Sequence, residues 1–499
     1  MQCQGLSEDN IRSIFSFCDI TTVLSVGMAN KYLHRLSLDK LVWVNLVDNL
    51  RYRGFIDLLS PSDIRSKSQE ELVALVKALL TGPTSWIAPV LPLTKPKLPF
   101  LARFRSKPTS QARQARGQAE ISTQYSLHLP APRSFAEGQV KLLPGGKYIL
   151  IANSPGTLEC WSVQREKLIW AYEKATSDII GFSAQVLDGG DEANIIVCEK
   201  WSLHDAKNLV RILNLNFHTG ISTTFFTNSY EASYIIQPKI CGKFACLVYP
   251  SGVLSGRYPC ILIDWQSKLH IQLSEDIKDV RESPILAHLI RDHIFLLTHR
   301  SFETPKIHLF GITAFSRHWQ RITYTDNLIP FPVVDIFKVQ SIISEPTTHE
   351  LEVLWDSYWN ICSSELYAHE SPLEEGTYRV WVYGRQPGIQ RVKACSYHLS
   401  LSNGRQDTIF WRQRYLQGTD IPYIGRFITP YSGHTLGYFL SSAYGHHVIT
   451  GIFHPQVDSD RGVHLPGWYT INLNPDISTY SGAMIYYDQS AAVVVTYFK

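Results

Sequence analysis

The chain has 499 residues, of which 44% are hydrophobic and 18% charged, and its formal net charge at pH 7 is +3. Such a composition excludes a disordered polar chain and a general polycation for nucleic acid. The length allows two to four domains, or one large repeat domain plus a small one.

The charge is unevenly placed. Residues 1–81 balance nine basic against nine acidic side chains, residues 82–120 hold seven basic and one acidic, and residues 121–499 hold 31 basic and 34 acidic. Nine Cys stand at irregular spacing without a C-x-x-C, no basic-then-apolar leader opens the sequence, and no Asn-x-Ser/Thr acceptor occurs. These features predict free thiols in a reducing, intracellular setting, cytoplasmic and/or nuclear. The longest uncharged run, 427–457, is broken by prolines, glycines and four histidines. It predicts strands and turns, not a membrane span.

In chain order, residues 5–51 read as a compact set of short helices. Ser7 and Asp19 are placed to cap the first two, because a side-chain oxygen there accepts a bond from an exposed backbone N–H. In the first helix Ile11, Ile14, Phe15 and Cys18 form one apolar stripe, and Phe17 points roughly 100° away from it. The second helix carries Val23, Leu24, Val26 and Met28, and the region after it Leu33, Leu36, Leu41, Trp43, Leu46 and Val47. None is long enough to be stable alone, so they need one another and a partner. Phe17 is expected to be exposed in the isolated chain.

Residues 52–82 are expected to form a linker or stalk region, with a helix over 68–80 opened by a Ser68/Glu71 capping box and stopped by Gly82-Pro83. Residues 83–120 read as a linker, Pro-rich and then basic, with Lys95, Lys97, Arg103, Arg105, Lys107, Arg113 and Arg116 interleaved with Phe100, Leu101 and Phe104.

From 121 to 499 short apolar runs alternate with turns: 147–153, 209–217, 244–250, 260–265, 293–300, 378–384, 407–415, 467–473 and 491–498. Many short strands over 379 residues exceed one sandwich and predict a propeller of four-stranded blades. One blade is directly legible in 140–173, with a Gly turn at 145–146 and a Pro-Gly turn at 155–156. It resembles a WD-repeat blade, with Trp161 at the signature Trp position and Ser162 in place of the usual Asp. At roughly 40–50 residues per blade the expected count is seven, with eight as the alternative. The fold class is thus multidomain α plus β: a small helical domain, a linker helix and an all-β propeller.

The N-terminal helices resemble the F-box, over about 5–46. The "LSED" of Leu6–Asp9 stands where that family opens with Leu-Pro-x-Glu. Ile11, Ile14 and Phe15 match its isoleucine-rich first helix, and Cys18-Asp19-Ile20 its Leu-Asp-Pro turn. Val23, Leu24, Val26 and Met28 match the second helix, Ala29-Asn30-Lys31 the Val-Cys-Lys segment, and Trp43 the terminal Trp. Ser7 and Ile20 replace family prolines, Asn30 the Cys, and Leu33 a frequent Trp.

The resemblance implies a non-catalytic receptor subunit of a Skp–cullin–F-box ubiquitin ligase. Its helices would dock on a Skp-type adaptor, and through it a cullin, while the propeller selects an unknown protein substrate. The implied contact set is Leu6, Ile11, Ile14, Phe15, Phe17, Cys18, Val23, Leu24, Val26, Met28, Leu33 and Trp43. Neither a membrane nor nucleic acid is an expected partner. An F-box protein acting with the adaptor alone is the alternative, and a propeller enzyme the more distant one.

Other chemistry is weakly signalled. Cys241, Cys246, His288, His293 and His299 lack the spacing of a zinc site. His434, His446, His447 and His454 read as strand or turn histidines, and Pro144–Tyr148 as a turn without the features of a phosphate loop. No catalytic residue, cofactor or metal ligand is expected.

Overall fold

The computed structural model of the chain describes residues 6–86, 119–129, 139–153, 156–173, 178–200, 207–231, 238–248, 260–274, 282–300, 306–322, 333–346, 355–356, 361–362, 365–385, 392–401, 409–415, 430–441, 446–453, 463, 470–471, 475–488 and 492–499. The basic segment 95–116 lies outside these residues.

Six helices form the head: α1 (Glu8–Ser16), α2 (Ile20–Gly27), α3 (Lys31–Ser37), α4 (Lys40–Tyr52), α5 (Pro61–Ser66) and α6 (Gln69–Thr81). Each opens on a polar cap. Ser7 accepts from the Asn10 N–H, Asp19 from Thr22, Asn30 from Leu33 and Asp39 from Leu41. Ser60/Asp63 and Ser68/Glu71 form full capping boxes. With these N–H groups satisfied, short helices persist through packing. Gly27 is required because a Cβ there would run into Ser37, where α2 and α3 approach closely.

One core unites the head, running from Ile11 and Phe15 through Val42, Trp43 and Leu46 to Leu72, Val76 and Leu79. Residues 52–82, expected as a stalk, therefore share the core of the first four helices. The expected linker also begins inside the fold. A 3-10 turn at Thr84–Trp86 buries Trp86 against His434 and Phe498, and the Ser85 N–H donates to the Lys499 carbonyl at 2.9 Å.

The remainder is a β-propeller of WD-like antiparallel blades. Blade 1 comprises Gln139–Leu142, Tyr148–Asn153, Thr157–Ser162 and Lys167–Glu173, paired in chain order. Blade 2 comprises Asp178–Val186, Glu192–Lys200, Lys207–Asn216 and Ile221–Glu231. Blade 3 comprises Lys239–Cys241, Phe244–Val248, Cys260–Asp264 and Leu269–Ser274, extended by Gln320–Arg321 and Val333–Asp335. Blade 4 comprises Glu282–Ile290, His293–Arg300, Lys306–Gly311 and Ile343–Pro346. A two-stranded pair, Trp355–Asp356 with Ile361–Cys362, precedes blade 5. Blade 5 comprises Glu365–Glu370, Thr377–Arg385, Val392–Leu401 and Ile409–Tyr415.

A three-stranded sheet follows: Thr435–Ser441, His446–Phe453 and Thr470–Ile471. Blade 6 joins the two ends of the domain, because Ile121–Leu127 pairs with Val493–Phe498 beside Met484–Tyr487 and Asp476–Ile477. This pairing closes the ring, with Ile121–Leu127 as the outer edge strand of blade 6.

The blade count corrects the expectation: among the described residues six complete blades stand, not seven or eight. The division of length by blade size assumed that every residue is spent on regular blades. Blade 2 instead runs its strands to nine, nine, ten and eleven residues. Gln320–Arg321 and Val333–Asp335, which fall in sequence between the third and fourth strands of blade 4, pair with blade 3 instead. Middle strands such as Phe244–Val248 and Cys260–Asp264 are buried along their full length, because neighbouring blades cover both faces.

Candidate functional site: the outer face of the head and its seat on the propeller

The exposed apolar side chains of the head arise from helices that are apolar on two sides. In α1, Ile11 and Phe15 are one turn apart and buried, whereas Ile14 and Phe17 point outward. In α2, Ile20 and Val23 are buried, whereas Leu24 and Met28 are exposed. Phe17 is 88% exposed and Met28 80% exposed. Both terminate short helices, where no following turn covers them.

Of the expected contact set, Leu6, Ile14, Phe17, Leu24 and Met28 are exposed. Cys18, Val26 and Leu33 are partly buried and pack against the head's core. Ile11, Phe15, Val23 and Trp43 lie within that core and present no surface; the Trp43 indole N–H donates to the Ser37 carbonyl at 3.0 Å. These four hold the presenting helices in place. Tyr32, Leu38 and Leu41 are also exposed and stood outside the expected contact set. For Leu41 the signal was present: it is an apolar residue in the first turn of α4, beside the Asp39 cap.

Charged residues tie the presenting helices together. Arg12 bridges Glu8 at 3.0 Å, Asp9 at 2.9 Å and the α4 cap residue Asp39 at 2.8 Å, and Glu8 also pairs with Arg35 of α3. These pairs are partly exposed and worth little in energy. Arg12–Asp39 and Arg35–Glu8 link separate helices, so their effect is on relative placement.

The opposite side of the head sits on the propeller through turns between first and second strands. The Gly145 N–H donates to the Gly54 carbonyl at 3.1 Å, and the Leu58 N–H donates to the Gly145 carbonyl at 3.0 Å. The Gly189 N–H donates to the Tyr52 carbonyl at 3.1 Å, and the Thr21 N–H to Leu373 at 3.1 Å. Arg53 pairs with Glu370 at 2.7 Å and lies over the Phe55 ring, which meets Tyr480 edge-on at 4.5 Å.

Asp57 is the polar centre of this seat. Its Oδ2 accepts from Ser481 at 2.5 Å, from Ser478 at 3.4 Å and from Tyr497 at 3.4 Å. Burial pushes its carboxyl up to about 6, against the lowering effect of these hydrogen bonds. Burial likewise raises the Tyr497 phenol, helped by the charge of Asp57. The turn read from Pro144–Tyr148 is present, and its unsuspected role is to receive the head. Gly146, at φ +67°, passes so close to Asp57 and Tyr497 that a Cβ there would stand 2.6 Å from both.

The other sequence candidates do not converge. Cys246 is buried and shares a hydrogen bond with Cys260, which together with burial raises the Cys260 thiol. Burial pushes the Cys241 thiol up to about 11. His288 is buried and its pKa lowered by desolvation, while His293 contacts the Arg291 carbonyl at 2.7 Å. His434 packs under Trp86 and lies 3.0 Å from the Ser432 hydroxyl. His446 and His447 occupy a strand, their side chains and that of His299 lie outside the description, and His454 lies outside the described residues. Among the described residues no group of three or more His, Cys, Asp or Glu could hold a metal ion. Cys18, Cys160, Cys198, Cys241, Cys246 and Cys260 form no disulfide, and no described helix is long and apolar enough to cross a membrane.

No protein-family model matches the chain, and no curated protein matches it. Solved structures align with much of the chain at low identity. The β-propeller domain of Cps50 (Swd1) from Myceliophteria thermophila aligns at 8% identity and TM-score 0.46, covering 76% of this chain and 100% of that one. BamB from Moraxella catarrhalis aligns at 9% identity and TM-score 0.39, covering 76% and 100%. The WD40 domain of SCAP from fission yeast aligns at 8% identity and TM-score 0.38, covering 77% and 97%. The propeller assignment rests on the strand pairing and ring closure described above.

Proposed function

We propose that this chain is the substrate-receiving subunit of a Skp–cullin–F-box ubiquitin ligase. The outer face of the head docks the adaptor and, through it, a cullin, and the propeller holds the protein to be modified. The observation that carries this reading is Phe17, an almost fully exposed aromatic residue on a short helix whose other face is already buried. Leu6, Ile14, Leu24 and Met28 extend the apolar surface around the F-box order of residues. Burying a Phe or Met side chain contributes about 1.5–3 kcal/mol each, enough to drive association after its entropic cost is met.

The chain itself supplies no catalytic group in this role. It raises the effective concentration of a substrate lysine near the conjugating enzyme's thioester. The head covers the end of the ring carrying the turns at 143–147, 187–191 and 478–482, so the opposite end is the one left for a substrate.

The test is co-purification with adaptor and cullin, comparing wild type with Phe17→Glu and Ile14→Glu. Loss of adaptor from both variants, with propeller unfolding unchanged, supports the reading. Adaptor retained without cullin replaces it with an adaptor-only scaffold, and absence of both partners from wild type rejects it.

A further inference from the structure

The head meets the turns between first and second strands of blades 1, 2, 5 and 6. The corresponding turns of blades 3 and 4, at 242–243 and 291–292, take no hydrogen bond from the head among the described residues. In antiparallel blades the turn between third and fourth strands lies at this same end. In blade 3 it is 265–268. In blade 4 the chain instead runs from Gly311 through a 3-10 turn, Ile312–Phe315, to Gln320–Arg321 on the edge of blade 3.

The shelf left beside the head is basic. Lys268, Arg317 and Arg321 are exposed and form no ion pair among the described residues. Strand pairing brings them together: Arg321 stands opposite Leu269, and the Ile322 N–H donates to the Lys268 carbonyl at 3.0 Å. Half-buried Trp319 stacks on Phe244 with ring centres 6.1 Å apart, and the Lys243 ammonium lies 5.0 Å from the centre of the Phe244 ring. Lys243 and Arg291 are already paired, with Asp264 at 3.4 Å and Glu375 at 2.8 Å. Asp292 is the one exposed carboxylate on these turns.

The fold does not call for these charges. Lys268 has φ +54°, in the left-handed region that favours glycine, and the same place in the turn is held by Gly220 in blade 2 and Glu166 in blade 1. The charge also runs against its surroundings, since residues 121–499 hold 31 basic and 34 acidic side chains. Acid bounds the shelf on both sides. Asp188 and Asp191 stand on the neighbouring turn of blade 2, and Glu374 and Glu375 on that of blade 5. A long polyanion such as a nucleic-acid strand would run into these carboxylates, whereas a short acidic ligand fits between them.

We propose that this shelf of blades 3 and 4 binds a short acidic peptide segment of a partner protein. The guanidinium forks of Arg317 and Arg321 suit aspartate and glutamate carboxylates, and Lys268 adds a point charge beside them. Trp319 offers an apolar contact within the same surface. Charge of this kind selects and orients a partner more than it tightens binding, so a weak, salt-sensitive complex is expected. The shelf is independent of the adaptor reading.

The test is fluorescence anisotropy of the full chain with labelled hexaglutamate, with hexaglutamine as the neutral control and oligothymidylate as the nucleic-acid control. Saturable binding of hexaglutamate is expected, weakened by added sodium chloride. It should fall about tenfold in the double variant Arg317→Gln/Arg321→Gln and further when Lys268→Gly is added. Because these side chains have no ion-pair partners, the variants should melt at the wild-type temperature or higher. Equal binding of hexaglutamate and hexaglutamine, no saturable binding of hexaglutamate, or undiminished binding by the triple variant overturns the proposal. Tighter binding of oligothymidylate, reduced in Trp319→Leu, also overturns it and assigns the shelf to a single-stranded nucleic acid.

Discussion

On the side of the head that meets the propeller stand Gly54, Asp57 and Arg53, each engaged by a named backbone group or side chain. On the far side stand Phe17, Met28, Ile14 and Leu24, exposed to solvent. The far side is presented by α1 and α2 and the docked side by the segment that follows α4, and one core lies beneath both. The docked side meets its neighbour mainly through hydrogen bonds and close backbone approach, the chemistry of a surface completed within the chain. The far side offers apolar area with little hydrogen-bonding capacity, the chemistry of a surface that association completes.

The largest expected effect removes the comparison at its root. Phe15→Ala empties the core beneath both sides and should cost the head about 3–5 kcal/mol. Urea denaturation together with hydrogen exchange should show α1 to α4 losing protection while blades 1 and 2 keep theirs. Next comes Phe17→Glu, which changes only the far side. Adaptor affinity should fall about 100-fold or more, near the loss expected for a buried aromatic hot spot. The melting temperature should stay at the wild-type value, since this side chain touches no core. A drop in melting temperature equal to that of Phe15→Ala would show that Phe17 serves the fold instead.

What the sequence revealed was local. The capping box at Ser68 and Glu71, the strand at 147–153 and the outward direction of Phe17 follow from spacing within one or two turns. Its limits were equally physical. Ile11 and Ile14 look alike as apolar residues three apart, and only the packing of α1 on α3 and α4 decides that the first is buried and the second is not. Asn30, a polar residue where the F-box pattern has Cys, caps α3 with its side chain, a role the spacing did not signal. Lys268 and Arg321 are far apart in the chain, and no periodicity along it links strands that meet only through register. The turn at 144–148 was legible as a turn, but its use as a seat depends on where the head comes to rest.

The docked side can be probed by crowding it. Gly146→Ala places a methyl against Asp57 and Tyr497 at a positive φ, a position with strain and no spare volume. A loss of about 2–3 kcal/mol is expected, with faster proteolysis around 52–60 as the head lifts. Unchanged proteolysis would mean that the head is held by its other contacts alone.

The smallest expected effect concerns charge at the same seat. The Asp57 carboxyl ionises near 6 in the folded chain, above its ordinary value of 3.8. Folding therefore favours its protonated form. Below about pH 4 both states carry the proton and burial costs nothing extra. As pH rises from about 4 to 6 the unfolded chain ionises first, and the folded state loses stability relative to it. Above 6 both are ionised and the penalty is complete, about 2 kcal/mol after allowance for the partial exposure of the site. Asp63, Glu70 and Glu71, whose pKa values are lowered by capping hydrogen bonds, work in the opposite sense, losing their contribution as pH falls. The pH profile of wild type alone mixes these contributions, so the informative quantity is its difference from Asp57→Asn. Asn keeps an oxygen to accept from Ser481 and Ser478 and has no charge to desolvate. The stability of wild type minus that of the variant should fall by about 2 kcal/mol between pH 4 and pH 7, read from urea denaturation at each pH. A flat difference would mean that water reaches Asp57, and that the contrast between the two sides of the head lies in geometry and not in burial.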